Sequence, residues 1–125
     1  MSTRALVVVD FGNHFEYRYN HCDGYPSYLG SFLRKHMKDI PTIQSIFNEH
    51  KDWSWIESGN DKPDGITAGY YEDDAGVNNE VFDNIEEVGK YLRRVHGDCE
   101  FVYYWYDNKW HTFTYDDFVA KFGED

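Results

Sequence analysis

The order of apolar and polar positions along the chain predicts two β-hairpins with helices between them. Arg4 to Phe11 is β-branched and apolar at its centre, the pattern of a buried strand. Gly12-Asn13 is a turn signal, and polarity then alternates from His14 to Asn20. Phe15, Tyr17 and Tyr19 fall on one side and Glu16, Arg18 and Asn20 on the other, so a half-buried strand closes a hairpin over 4–20. His21 to Pro26 reads as a loop, punctuated by Asp23-Gly24 and by the proline. Tyr28, Leu29, Phe32, Leu33, His36 and Met37 recur at helical spacing, which predicts an amphipathic helix over 28–38. Ser27 is its expected N-cap, and Lys35 and Lys38 suit its C-terminal end.

Pro41 opens a second short helix, with Thr42 as the expected capping residue and Ile43, Ile46 and Phe47 as its apolar side. Asp52 to Glu57 alternates like a strand. Residues 58–80 are rich in Gly, Asn, Pro and Asp, a loop with one strand expected at Ile66 to Tyr71. Asp83 and Glu86 have capping-box spacing ahead of the stripe Ile85, Val88, Leu92 and Val95, and Gly97 closes that helix. Phe101 to Tyr106 and Trp110 to Tyr115 flank the turn Asp107-Asn108-Lys109, and Asp116-Asp117 begin a last helix carrying Phe118, Val119 and Phe122. The expectation is a single α+β domain over 1–125: an antiparallel sheet built from the N- and C-terminal hairpins and covered by helices. Internal repeats, low-complexity tracts and a linker are absent from the sequence.

Composition changes this picture in one respect. Four Trp, eleven Tyr and nine Phe outnumber all Leu, Ile and Val together. Each ring removes roughly 150–250 Å² from water on burial, so 125 residues suffice for a substantial core. No apolar run approaches the ~20 residues of a membrane helix, and no signal peptide precedes the first strand. A cytoplasmic chain is expected. Cys22 and Cys99 stand far apart without ligand spacing, so reduced thiols are expected rather than a disulfide or a zinc site.

Charge supplies the main functional signal. Twelve Lys and Arg against 23 Asp and Glu give −11. That excludes a plain phosphate-binding surface and docking on anionic membranes. Between residues 57 and 87 the acids are Glu57, Asp61, Asp64, Glu72, Asp73, Asp74, Glu80, Asp83, Glu86 and Glu87, opposed by Lys62 alone, a local balance of −9. Duplex DNA carries one charge per ~1.7 Å of axis, so these acids match roughly 15 Å of duplex. On one face they would compete for a nucleic-acid-binding groove of a partner protein; spread out, they form an ordinary solvated surface. Glu72 to Gly76 lacks the spacing of a Ca²⁺ loop.

Two other constellations carry chemistry. His21 and Asp23, two apart beside Gly24, suit a base and its partner or a ligand site, with Arg4 on the paired strand for an anion and Tyr25 alongside. The same residues also make good turn chemistry. Tyr103, Tyr104, Trp105, Tyr106 and Trp110 lie on both faces of the last hairpin, so one face is core. The other lies under a helix or is exposed, and Tyr104, Trp105 and Trp110 would then anchor a homodimer. GxGxxG, P-loop, GxSxG and HExxH motifs are missing, so a non-enzymatic protein without cofactor or metal is expected.

The run Met1-Ser2-Thr3-Arg4, a hairpin, then Tyr19-Asn20-His21-Cys22-Asp23-Gly24-Tyr25-Pro26 leading to Leu29-Gly30 resembles a family of small uncharacterised proteins of phages and mobile elements. Its members open with M-[SG]-T-R and carry Y-x-H-x-D-G-Y-P. Many end in an aromatic hairpin like Tyr103 to Trp110. Cys22 stands where the family often has an aromatic, and residues 57–80 have no counterpart in it. The resemblance implies a phage accessory protein acting in a bacterial cytoplasm and carries no activity with it. The expected function is inhibition of a host defence machine of the CRISPR or restriction type, through an acidic face that imitates nucleic acid. The alternatives are a small-molecule or nucleotide site, binding or catalytic, at Arg4, His21, Asp23 and Tyr25, and a structural dimer module.

Overall fold

A computed structural model of the chain describes residues 3–49, 55–58, 66–69, 81–95 and 97–123. Its centre is β1 (Ala5–Asp10), whose first five residues have no solvent exposure at all. A strand buried on both faces reads as a continuous apolar run rather than an alternating one. On one side β1 pairs antiparallel with β2 (Phe15–Asn20), Ala5 opposite Asn20 and Asp10 opposite Phe15. On its other side it pairs parallel with β6 (Phe101–Tyr106), Ala5 opposite Phe101. β6 turns through Asp107-Asn108, both in the left-handed region, into antiparallel β7 (Lys109–Thr114). Two successive positive φ angles make the hairpin turn whose twist matches the strands. The short β5 (Val81–Phe82) adds to β2, giving the order β5-β2-β1-β6-β7. The class is α+β as expected, with one parallel seam where the two hairpins meet.

Helices cover both faces. Leu29, Phe32 and Leu33 come from a π-helical turn (Pro26–Gly30) that runs into α1 (Ser31–His36). They pack with Ile43, Ile46 and Phe47 of α2 (Ile40–Glu49) over Ala5, Val7, Val9, Tyr103 and Trp105. The opposite face holds Leu6, Val8, Tyr17, Tyr19, Val102 and Tyr104. Over it lie Val88 and Leu92 of α3 (Ile85–Val95) and Phe118 of α4 (Tyr115–Phe122). α3 and α4 touch through glycine: a Cβ on Gly89 would come within 2.5 Å of the Phe122 carbonyl. The Tyr115 hydroxyl donates to the Leu92 carbonyl at 3.1 Å across the same contact. A separate two-stranded sheet, β3 (Trp55–Ser58) with β4 (Ile66–Gly69), is pinned by Ile56, which is buried in the first cluster.

Several local expectations shift by a residue or two. The first helix begins at Pro26 rather than behind a Ser27 cap, because the Tyr25 carbonyl takes the N–H groups of both Tyr28 and Leu29. Proline suits that position, where its missing N–H costs nothing. α2 is capped by Asp39, whose carboxylate accepts the Thr42 N–H at 2.8 Å, not by Thr42 itself. α3 is capped by Asn84, which accepts from the Glu87 N–H at 2.9 Å, not by Asp83. Glu87 reaches back to the Asp83 N–H at 3.3 Å, so the cap sits one residue later than its spacing suggests and the return bond falls on the residue before it. α4 starts on Thr114, which accepts from the Asp117 N–H. Residues 52–54 and 70–71 of the expected strands lie outside the described residues.

β2 departs most from its pattern. Arg18 is 3% exposed and Asn20 1%, although both fall on the side expected to meet water. α2 covers that side. The Arg18 guanidinium lies 4.2 Å over the Phe47 ring and donates to the carbonyls of Phe47 at 3.0 Å and Tyr17 at 2.8 Å.

Candidate functional site

The loop after β2 is built by close backbone packing. Ala5 pairs with Asn20, so Arg4 and His21 flank the same end of the ladder. Asp23 adopts φ 58° and is exposed. Gly24 then presses on β1: its N–H donates to the Thr3 carbonyl at 2.9 Å, and a Cβ there would meet Ala5 Cβ at 2.7 Å. The buried Tyr103 hydroxyl donates to the Gly24 carbonyl at 2.6 Å, and the Asn20 amide donates to the Cys22 carbonyl at 2.6 Å. His21 Nδ1 lies 2.8 Å from the Tyr19 hydroxyl. Arg4 pairs with Asp98 at 3.3 Å, in the turn ahead of β6. Tyr25 is exposed, its ring beside Tyr28. The four candidates therefore share one end of the sheet, and the contacts described for Arg4 and His21 lead to Asp98 and Tyr19.

Of the ten acids, Asp83, Glu86 and Glu87 are described, all exposed around the first turn of α3. Carboxylates at a helix N-terminus complement its dipole. Glu57 lies in β3 with its backbone opposite Thr67, its side chain outside the described residues. Asp61, Asp64, Glu72, Asp73, Asp74 and Glu80 lie outside the described residues altogether. The stretch has fixed points on either side. Ile56, just before Glu57, is buried in one core cluster, and Phe82, shortly after Glu80, is buried in the other.

The aromatic hairpin is turned inward. Tyr104 is 5% and Trp105 3% exposed, on opposite faces of β6 beneath the two helical layers. Trp110 is half-buried; it packs edge-on against Trp105 and donates its indole N–H to the Met37 carbonyl at 2.8 Å. These three rings fill the monomer's own core and its margin, so none of them stands out as an exposed anchor. Burial raises the Tyr103 and Tyr104 hydroxyls and the Cys99 thiol well above their ordinary range, which keeps all three protonated and inert at neutral pH. Neither Cys22 nor Cys99 is in a disulfide.

One polar system follows the alternation of β2 yet is withdrawn from water. His14 Nε2 lies 2.6 Å from Glu16, and Glu16 lies 3.6 Å from Arg18. The three form a file along one side of β2, leading from the first hairpin turn to the last turn of α2. No signal in β2 alone marks it, because the helix that buries it comes about thirty residues later. Among the described residues, no three His, Cys, Asp or Glu side chains are grouped to hold a metal ion, and no helix is long and apolar enough to cross a membrane. No family model, curated protein or solved structure matches the chain.

Proposed function

We propose that the protein is a non-enzymatic accessory protein that binds and inhibits a basic, nucleic-acid-handling partner through its acidic stretch. The observation that carries the proposal is the density of charge: ten acids against one lysine between residues 57 and 87, in a chain whose net charge is −11. Two features of the fold support it. Asp83, Glu86 and Glu87 point into solvent at the start of α3. Ile56 and Phe82 tie the chain on either side of the remaining acids to the two halves of the core. A partner rich in Lys and Arg would be drawn by the long-range field and held by carboxylate pairs. The resemblance of the Tyr19–Pro26 region to phage proteins supports looking for such a partner in a bacterial cytoplasm, with a CRISPR or restriction complex as the proposed target. Direct contact with nucleic acid or membrane runs against the same charge.

The test is a pull-down from bacterial lysate at low and high ionic strength, followed by mass spectrometry and an inhibition assay on the captured complex. Replacing Asp61, Asp64, Asp73 and Asp74 by Lys is expected to abolish capture, and capture by the parent chain is expected to fall steeply with salt. Capture that persists unchanged in ~0.5 M salt, where screening is within a few ångströms, overturns the proposal.

A further inference from the structure

An open groove of about 860 Å³ lies along the outer side of α3, beginning where the acidic stretch ends. It is lined by Phe82, Tyr91, Lys90, Arg93 and Arg94, with Glu87 at one end. The volume is that of small-molecule sites, about 300–1,000 Å³. Lys90, Arg93 and Arg94 are three of the chain's twelve basic residues, gathered within five positions of an otherwise acidic protein. Cations suit a helix C-terminus on their own account. Dipole complementarity, though, does not call for the half-buried Tyr91 ring beside them, packed on the buried Phe82. The Phe82 and Tyr91 rings lie 5.2 Å apart at 54°, and both are braced from behind by the buried Tyr17 ring. Arg93 is held at the wall by donating to the Gly123 carbonyl at 3.3 Å.

We propose that this groove binds a nucleotide, a flat ring joined to a phosphate chain. The ring lies against Tyr91, which the buried Phe82 supports from behind, and the phosphates meet Arg94 and its neighbouring cations. Guanidinium forks match phosphate oxygens in pairs. Aromatic faces stack any base. Glu87 and Arg94 are separated by seven residues of helix, about 10 Å of axis, so an amine-bearing ring edge falls near the carboxylate and the phosphates near the arginine. Phe82 and Glu87 belong to residues 57–87, so the decisive variant is placed at Arg94, outside that stretch, and its outcome is read separately from the salt-dependent capture that tests the acidic-stretch proposal.

The experiment titrates the intact chain with mant-ATP by fluorescence and displaces the probe with ATP, adenosine or tripolyphosphate. Saturable binding is expected, with ATP displacing the probe at concentrations roughly tenfold or more below either fragment. Arg94→Glu is expected to weaken binding by roughly tenfold or more, because an exposed attractive charge becomes repulsive; its melting curve confirms the fold. Tyr91→Leu keeps apolar bulk and removes the ring, and is expected to weaken ATP while leaving tripolyphosphate unaffected. Absence of saturable binding, unchanged affinity in Arg94→Glu, or tripolyphosphate competing as well as ATP would each overturn the proposal. If Tyr91→Leu does not fold, Arg94→Glu and the competition series still decide.

Discussion

Arg18 is a cation enclosed by hydrogen-bond acceptors and a ring, with Glu16 supplying the opposing charge. Its removal would leave the Phe47 carbonyl without its described donor beneath α2 and take from Glu16 the guanidinium that faces it alongside His14. Arg18→Ala is therefore expected to destabilise the protein by about 2–4 kcal/mol, through lost charge-assisted bonds and packing. Equilibrium urea unfolding measures it, and a loss under about 0.5 kcal/mol would mean that the guanidinium is replaced by water at no cost. This residue also shows where sequence reading stops. Alternation in β2 marks two faces, but a face becomes interior only when another element lies on it, and α2 is specified elsewhere. Gly24, by contrast, was legible as a turn residue from Asp-Gly-Tyr-Pro. The reason for glycine proved to be the approach to Ala5, while the positive φ fell on Asp23.

Helix ends set the scale of the next effects. With Asn84 as the cap of α3, Asn84→Ala is expected to cost about 1 kcal/mol and Asp83→Ala much less, as compared by thermal melts of the two variants. The reverse order would restore Asp83 to the capping role that its spacing with Glu86 suggests. At the α1–α2 junction two groups titrate below their ordinary values. His36 is held down by burial and by Lys35 and Lys38; Asp39 is held down by its hydrogen bonds from Thr42. Both shifts have the same sign for stability. The fold prefers neutral His36 and ionised Asp39, so each contribution is complete above the unfolded value, ~6.5 for His and ~3.9 for Asp, and is lost as pH falls through the folded one. Acidification is expected to loosen this junction in two stages, followed by amide exchange of Ile43 between pH 7 and 3; replacing His36 by Gln is expected to remove the upper stage and leave the lower. The elements themselves were legible because their periodicities are strong and their breakers clear. Their caps shifted because neighbouring Asx and Ser/Thr residues compete for one role, and geometry rather than spacing chooses among them.

Across the whole molecule, hydrophobic patterning identified two hairpins and a covered sheet but not how the hairpins join. Parallel pairing of β1 with β6 leaves no local mark, since both strands are simply apolar runs. The aromatic excess was read as core or contact surface, and the three rings picked as dimer anchors are turned mainly into the core. The acidic stretch is plain in the sequence because charge needs no fold to be counted, whereas a shared face is a property of three dimensions. The groove on α3 lay in view as Lys90, Arg93 and Arg94; what hid it was that its rings come from β5 and from the helix itself. The central seam has a consequence for biosynthesis. Ala5 finds its partner in Phe101, so the middle of the sheet cannot seal until the chain as far as β6 has left the ribosome. Until then the nascent N-terminal hairpin presents an apolar edge, and a chaperone or rapid synthesis of the residues up to β6 would shield it from its neighbours.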